Sequence, residues 1–448
     1  MNRSSIRSAQ VILLTLTYSQ LPLTFTGNIF NSKIELHSIS ALKMNHAVRK
    51  DVLEQYVTSG NDAVEFRLVH TAADLNKEEG TFNPEMCHQF FGEGEAIFGY
   101  KDLIIQLYFA AGSLEIFLGQ KFSEKISPDK AEDVEADDVL GVISEKLPEN
   151  DFYTNLDVFT SKLQDERKFK PMGELQHQWK PESSEVTYEV YHNMVADPKY
   201  RKYHMRMESF VMWFVDGAQY IDTEDENWNS FVLYEKRREG ENTWYTFCGY
   251  CTVYKYWAYP DKQRPRVSQI LILPPFQRQG LGAQLLQMVY NYYVGRADVV
   301  DITFEDPSEE LTRVRDYIDA KNCQRLAPFH AARLAKGFSE EMRVEAREKL
   351  KIGKRQARRV YEILRLKNTQ QKNAAEYKKY RLDIKNRLNA TARQEQINLE
   401  KAKKAFKKEG ASYAELHASL DNRIEKLDAE YKELEGEYLK VIERLNRD

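Results

Sequence analysis

Apolar positions recur with different periods along the chain, and each period predicts its own kind of element. Val64 to His70 alternates apolar and polar residues, and Leu103 to Phe109 reads as a second strand. Met207, Phe210, Val211 and Phe214 recur at helical spacing, with Gly217 placed to stop that helix. Strands are predicted at about 230–236 and 243–256, joined by the polar turn Arg237 to Asn242. An apolar run from Val267 to Leu273 ends at Pro274-Pro275, which removes two backbone donors and stops the strand pairing with a neighbour. Leu285, Leu286, Val289 and Tyr290 then mark one helix face, and Val299 to Phe304 reads as a further strand. Residues 307–448 are helical in pattern, with no proline after Pro328. Ile424, Leu427, Tyr431, Leu434, Tyr438, Val441 and Leu445 follow 3-4 spacing, a heptad segment at 424–445. That spacing fits an intramolecular helical hairpin or a dimer equally well.

Composition narrows the class. A chain of 448 residues, 42% hydrophobic and 30% charged, is long enough for two or three domains, each with its own core. The net charge of −4 argues against broad nucleic-acid binding, which needs a basic surface, and is compatible with a basic substrate meeting an acidic groove. The basic run Lys401 to Lys408 reads as a solvated helix face. Cys248 and Cys251 form a Cys-x-x-Cys without a second pair, inside a strand whose alternation sends them to opposite faces, so they read as buried thiols rather than a metal site. Residues 1–43 are basic, apolar and nearly free of acids, as targeting peptides are. Their apolar part is broken and too short to span a bilayer. They are expected to be an N-terminal extension, disordered or not made at all, rather than a targeting signal.

Candidate chemistry concentrates between residues 264 and 308. The turn Gln277-Arg278-Gln279-Gly280-Leu281-Gly282 leads straight into a helix. Glycines there let first-turn N–H groups, which have no intrahelical partner, approach an anion at the positive end of the helix dipole. Taken alone, the turn fits a plain helix entrance as well as a phosphate cradle. Glu305 and Asp306 stand at the end of the last strand, where a lone acid pair beside Pro307 is usually part of a turn. Glu93 and Glu95 sit in a glycine-bearing loop that reads as a solvated acidic turn, and Tyr254-Lys255-Tyr256 as aromatic strand packing.

The order strand, glycine turn, helix, strand and acid pair resembles the acetyl-CoA-binding core of the Gcn5-related N-acetyltransferases. Their signature, Gln/Arg-x-x-Gly-x-Gly/Ala, is filled by Gln277, Gly280 and Gly282. The longer string from Arg264 to Leu286, with Ile302-Thr-Phe-Glu-Asp-Pro-Ser308, is similar to the type B histone acetyltransferase catalytic subunits in particular. Further matching stretches are Phe91 to Lys101, Val134 to Asp138, Met212 to Asp222 and Ala357 to Leu366, so the likeness runs from about residue 46 to the C-terminus. It implies an α+β fold: a Gcn5-related N-acetyltransferase core of mixed sheet flanked by helices, a mixed N-terminal domain and a helical C-terminal region. The expected divisions are 1–43, a substrate-contact domain at 44–165, the acetyl-CoA-binding core at 166–306, and helices at 307–448.

The resemblance also implies roles. Glu305 is the expected general base, supported by Asp306, with Asp216 as a third carboxylate where the family usually has Glu. Backbone N–H groups of Ile270, Leu271 and Ile272 are expected to receive the thioester carbonyl. Gln277, Arg278, Gln279, Gly280, Leu281, Gly282 and Ala283, with Ser308, are expected to hold acetyl-CoA, with no metal. Glu93, Glu95, Tyr254, Lys255 and Tyr256 are expected substrate contacts, although Gly94 stands where the family has an acid. The implied reaction is direct transfer, in a ternary complex, from acetyl-CoA to amino-terminal tail lysines of newly made fourth core histone. The implied partners are that histone with its own histone partner and a WD-repeat histone chaperone, in nucleus and cytoplasm. No membrane contact and no direct nucleic-acid binding are expected. An N-acetyltransferase of another amine or protein, or a catalytically weak histone-binding adaptor, are the alternatives.

Overall fold

A computed structural model of the chain describes residues 53–447, except 78, 128–133, 183, 370–372 and 406–413. The expectation for residues 1–43 and residues 406–408 of the basic run at 401–408 lie outside the described residues. From Gln55 onward the described residues belong to one compact unit.

Its first sheet has four strands, β1 (Val64–Val69), β2 (Ile104–Ala110), β3 (Ile116–Lys121) and β4 (Phe152–Tyr153), in that order. The two strands read from the sequence in this region are its parallel pair, β1 and β2. The second sheet has six strands. They are β5 (Glu174–Trp179), β6 (Thr187–Met194), β7 (Trp228–Glu239), β8 (Asn242–Ala258), β9 (Lys262–Ile272) and β10 (Thr303–Phe304). Its order is β10-β9-β8-β7-β6-β5, antiparallel throughout except for the parallel pair of β9 and β10. Phe231-Val232-Leu233-Tyr234 on β7 is an unbroken buried run because both faces of this sheet are covered. One face meets α1 (Pro198–Glu208) and the first sheet; the other meets α2 (Leu281–Val294) and the C-terminal helices.

Four expectations change in the folded chain, the first being the strand expected over Val299–Phe304, which is only Thr303–Phe304. The helical spacing from Met207 to Phe214 crosses a break: α1 ends at Glu208 and a separate short helix spans Val211–Phe214. The hairpin of β7 and β8 extends until Glu239 pairs with Asn242, because a two-residue turn with Gly240 at φ +59° closes it. Cys248 and Cys251 do not point to opposite faces. The register shifts between Leu233 and Tyr234, leaving Cys248 as the extra residue of a bulge, so both thiols enter the same core. All four cysteines are free and buried, and burial pushes each thiol well up from its ordinary value.

Behind the sheet stand α3 (Glu309–Cys323), α4 (Glu340–Leu350), α5 (Lys354–Asn368), α6 (Ala374–Ala405) and α7 (Ala414–Arg447). The heptad segment on α7 packs within this chain. Tyr431, Tyr438, Val441 and Leu445 are buried in the same core as α3 and α5, whereas Ile424 at the start of the repeat is 74% exposed. Glu362 on α5 ties three helices together, accepting from Arg358, from Arg387 on α6 and from Tyr438 Oη on α7. A buried carboxylate is tolerable only with such complete pairing. Among the described residues no helix is long and apolar enough to cross a membrane.

Candidate active site

The site opens where β9 and β10 part. Their parallel pairing covers only Arg266 with Thr303 and Val267 with Phe304, closed by the Glu305 N–H donating to the Val267 carbonyl at 2.9 Å. Beyond that point β9 runs on through Ile270, Leu271 and Ile272 while β10 has ended, and β8 continues to pair on its other side. The leading edge of Ser268 to Ile272 therefore faces a cleft rather than a strand.

The turn after β9 folds back over that edge. Gln277 Nε2 donates to the Ile272 carbonyl at 2.9 Å, and Gln279 Nε2 to the Pro275 carbonyl at 3.1 Å. Both side chains thus shape the turn. Arg278 and Gly280 take φ of +60° and +81°, and left-handed Gly280 is the N-cap of α2 with no side chain capping it. The N–H groups of Leu281, Gly282 and Ala283 are left without a side-chain acceptor at the positive end of a 14-residue helix. A Cβ on Gly280 would meet nothing within 4 Å, and one on Gly282 would meet only Ile272 Cγ1 at 3.6 Å. The bare backbone leaves room for a phosphate-sized anion against these donors, which fits the pyrophosphate of a CoA thioester. Ser308 caps α3, its hydroxyl accepting from the Leu311 N–H at 3.2 Å.

Glu305 stands in the fork, exposed on one side and held on the other. Ser268 Oγ donates to its Oε2 at 2.7 Å, and Arg266 reaches to 4.0 Å from its Oε1 while stacking over the Tyr256 ring at 4.5 Å. Asp306, next along, takes φ of +29° as the chain turns towards Pro307, and its side chain is exposed without a partner among the described residues.

The remaining carboxylates come from elsewhere in the chain. Asp216 lies just past the Val211–Phe214 helix, 80% exposed, with Oδ1 at 3.5 Å from His88 Nε2. His88 Nδ1 in turn is 3.8 Å from Glu95 Oε1. Glu95 is less free than a solvated turn would leave it. It accepts from the N–H groups of Cys87 at 2.6 Å and His88 at 3.0 Å, and from Asn61 Nδ2 at 2.7 Å. The Cys87 N–H, first among these, holds its carboxyl below the ordinary value. Glu93, two residues earlier, is exposed. Phe90 stacks on Trp213 at 3.7 Å, which docks this loop beside Asp216.

Tyr254, Lys255 and Tyr256 line one cavity of about 390 Å³ with Asn227, Trp257 and Gln263. Tyr254 Oη donates to Asp225 Oδ2 at 2.9 Å, and Trp228 meets the Tyr254 ring edge-on at 4.9 Å. The Asn227 N–H, seconded by Tyr254, holds Asp225 below the usual carboxylate range. Among the described residues no group of three or more His, Cys, Asp or Glu is placed to hold a metal ion.

Comparison with known proteins decides the family. Residues 56–216 match the model of the histone acetyl transferase HAT1 N-terminus, and residues 191–310 that of the acetyltransferase (GNAT) family. Residues 315–366 match the C-terminal model of the histone acetyltransferase type B catalytic subunit. The chain is 42% identical over 406 residues to the histone acetyltransferase type B catalytic subunit of Rattus norvegicus, covering 90% of this chain and 96% of the relative. Identity and coverage are the same for the Homo sapiens protein. The Mycosarcoma maydis protein of that name is 34% identical over 364 residues, covering 73% of this chain and 80% of its own. The chain belongs to the type B histone acetyltransferase catalytic subunits. It is an acetyltransferase with a GNAT domain, the fold and family expected from its motifs.

Within this type B acetyltransferase the fork gathers Glu305, the Ile270–Ile272 edge and the 277–283 turn onto β9 and its flanks. Ser268 and Arg266, which meet Glu305, were not singled out in the sequence. Alternation puts Arg266 and Ser268 on one side of β9, but the bulge opposite Thr252 then turns Ile270 to the side of Val267. His88 carried no such signal, because only the tertiary fold brings it to Asp216.

Proposed function

We propose that the enzyme acetylates amino-terminal tail lysines of newly synthesised fourth core histone, by direct attack within a ternary complex. The observation that carries this reading is Glu305, held by Ser268 at the mouth of the β9–β10 fork, between an uncapped helix N-terminus and an acidic, aromatic surface. A lysine side chain has an ordinary pKa of about 10.4, so it arrives protonated and unable to attack. Glu305 takes that proton directly or through one water. Asp306 adds negative charge beside it, and exposed Asp216, one methylene shorter than the family's usual Glu, acts through water. Acetyl-CoA supplies the activated acetyl group. The N–H groups of residues 281–283 bind its pyrophosphate, the edge of Ile270–Ile272 receives the thioester carbonyl, and Ser308 contributes to the same cofactor site. The buried thiols are placed away from a covalent role, in keeping with direct transfer.

On the acceptor side Glu93, Glu95, Asp216 and Asp222 to Glu226 favour a Lys/Arg-rich tail, with Tyr254, Lys255 and Tyr256 beside its path. The histone is expected with its own histone partner and a WD-repeat histone chaperone, in cytoplasm and nucleus before deposition on chromatin. The test is initial-rate transfer from acetyl-CoA to a fourth-histone tail peptide, beside a lysine-blocked copy of the peptide. Intersecting double-reciprocal lines with the free peptide and no transfer to the blocked one support the proposal. Parallel lines would contradict direct transfer, and no transfer to the free peptide would contradict the acceptor.

A further inference from the structure

Behind the fork lies a buried carboxylate that the chemistry above does not use. Glu208, the last residue of α1, is 3% exposed. Its Oε1 accepts from the Ile221 N–H at 2.8 Å and from Gln269 Nε2 at 3.1 Å. Gln269 Nε2 also donates to the Gln219 carbonyl at 2.8 Å, so one amide and one carboxylate hold both ends of the segment 219–221. Tyr250 Oη donates to Gln269 Oε1 at 3.0 Å, which fixes which way the amide points. Gln269 is the neighbour of Ser268 on β9. The register of β9 against β8 shifts here, with Ser268 and Gln269 both opposite Thr252, so one bulge carries both the contact to Glu305 and the hold on the 219–221 segment.

That segment sits between two acidic positions of the acceptor surface. Asp216 precedes it, and Asp225, which receives the Tyr254 hydroxyl, follows it. We propose that Glu208, acting through Gln269, is a positioning residue for acceptor binding, setting the segment from Asp216 to Asp225 in register with Glu305. The inference rests on the reading that the acceptor lies along that segment.

Among the described residues no cation accounts for a charge at this depth. On its own helix Glu208 faces His204 and Tyr200; from the held segment it faces Tyr220, and from β8 Tyr250. His204 Nε2 is 3.7 Å from Oε2, but both its ring nitrogens lack hydrogen-bond partners and burial pushes it down to about 3, so it is neutral. Burial pushes Glu208 up to about 7, against the opposing pull of the Ile221 N–H and Gln269. Ionised, the carboxylate makes charge-assisted bonds to the segment; protonated, it makes weaker ones. The hold therefore tightens as pH rises through about 7.

The test compares the full chain with E208A and E208Q, by steady-state kinetics with the fourth-histone tail peptide and by amide exchange across 219–225. E208A is expected to raise the peptide KM roughly tenfold and to speed exchange about as much, with the acetyl-CoA KM within about twofold. E208Q, which keeps an oxygen acceptor, is expected to recover most of both and to lose the change in peptide KM that the parent shows near pH 7. Unchanged exchange in E208A would overturn the clamp whatever the substrate. Faster exchange with an unchanged peptide KM, or both KM values rising together, would overturn its positioning role. A parent inactive on the peptide would instead contradict the proposed acceptor, leaving exchange to judge the clamp.

Discussion

The wall of the cleft read as the acetyl-donor side is made almost wholly of main chain, whereas the surface proposed for the acceptor is made of side chains. On the donor side, the edge of Ile270–Ile272 and the first turn of α2 come from 14 consecutive residues, and the side chains of Gln277 and Gln279 only shape the turn. On the acceptor side, Glu95, His88, Asp216, Asp225 and Tyr254 come from three separated segments, joined by hydrogen bonds and close polar contacts. A pyrophosphate and a thioester are the same in every turnover, and backbone donors suffice for them. In the proposed reading, selecting one basic tail falls to side chains, and these in turn are held by the three donors on Glu95 and by Glu208 on the 219–221 segment.

The contrast can be broken most strongly through its one buried titrating group. Glu208 has a folded pKa near 7, raised by burial above its unfolded value. The folded protein therefore binds the extra proton, and the stability it brings is complete below the unfolded pKa and lost as pH rises through about 7. Relative to E208Q, the parent is expected to lose up to roughly 3 kcal/mol between pH 4.5 and 8, read from denaturant unfolding at each pH. Equal pH dependence in the two proteins would contradict this. The donor wall responds to backbone instead. In Gly280→Ala the residue cannot hold φ +81° without strain, so the turn shifts and acetyl-CoA binding by calorimetry is expected to weaken roughly tenfold, with the peptide KM unchanged. The smallest effect is expected from Tyr254→Phe, which removes one hydrogen bond to Asp225 and raises the peptide KM about threefold with acetyl-CoA affinity intact. If Gly280→Ala disturbed the peptide, or Tyr254→Phe the cofactor, the two walls would not be separate.

The same contrast explains what was legible in the sequence. The Gly280 turn, the helix face from Leu285 to Tyr290 and the acid pair after Phe304 are local patterns, and the folded chain places them around one fork. Strand β1 followed from alternation and β2 from its apolar run, each within a residue of its ends. The bulge at Cys248 was not legible, because an extra residue in a strand is set by its partner's register. Nor was the break after Glu208, where the apolar spacing runs on across two helices. The 3-4 pattern on α7 fitted a self-pairing helix as well as an internal one; Tyr438 meeting Glu362 places it inside this chain. The links from His88 to Asp216 and from Glu208 to Ile221 span 128 and 13 positions and leave no mark on spacing.

Glu305 is where the two walls meet, and replacing it is the most direct test. Acetyl transfer to the fourth-histone tail peptide should be measured for the parent and Glu305→Gln at saturating substrates, with acetyl-CoA affinity determined separately. The amide keeps the shape and the Ser268 contact but cannot accept the lysine proton. A fall in kcat of roughly a hundredfold, with acetyl-CoA affinity unchanged, is the expected result. A variant as fast as the parent would contradict Glu305 as the base and move that role to Asp216 or Asp306.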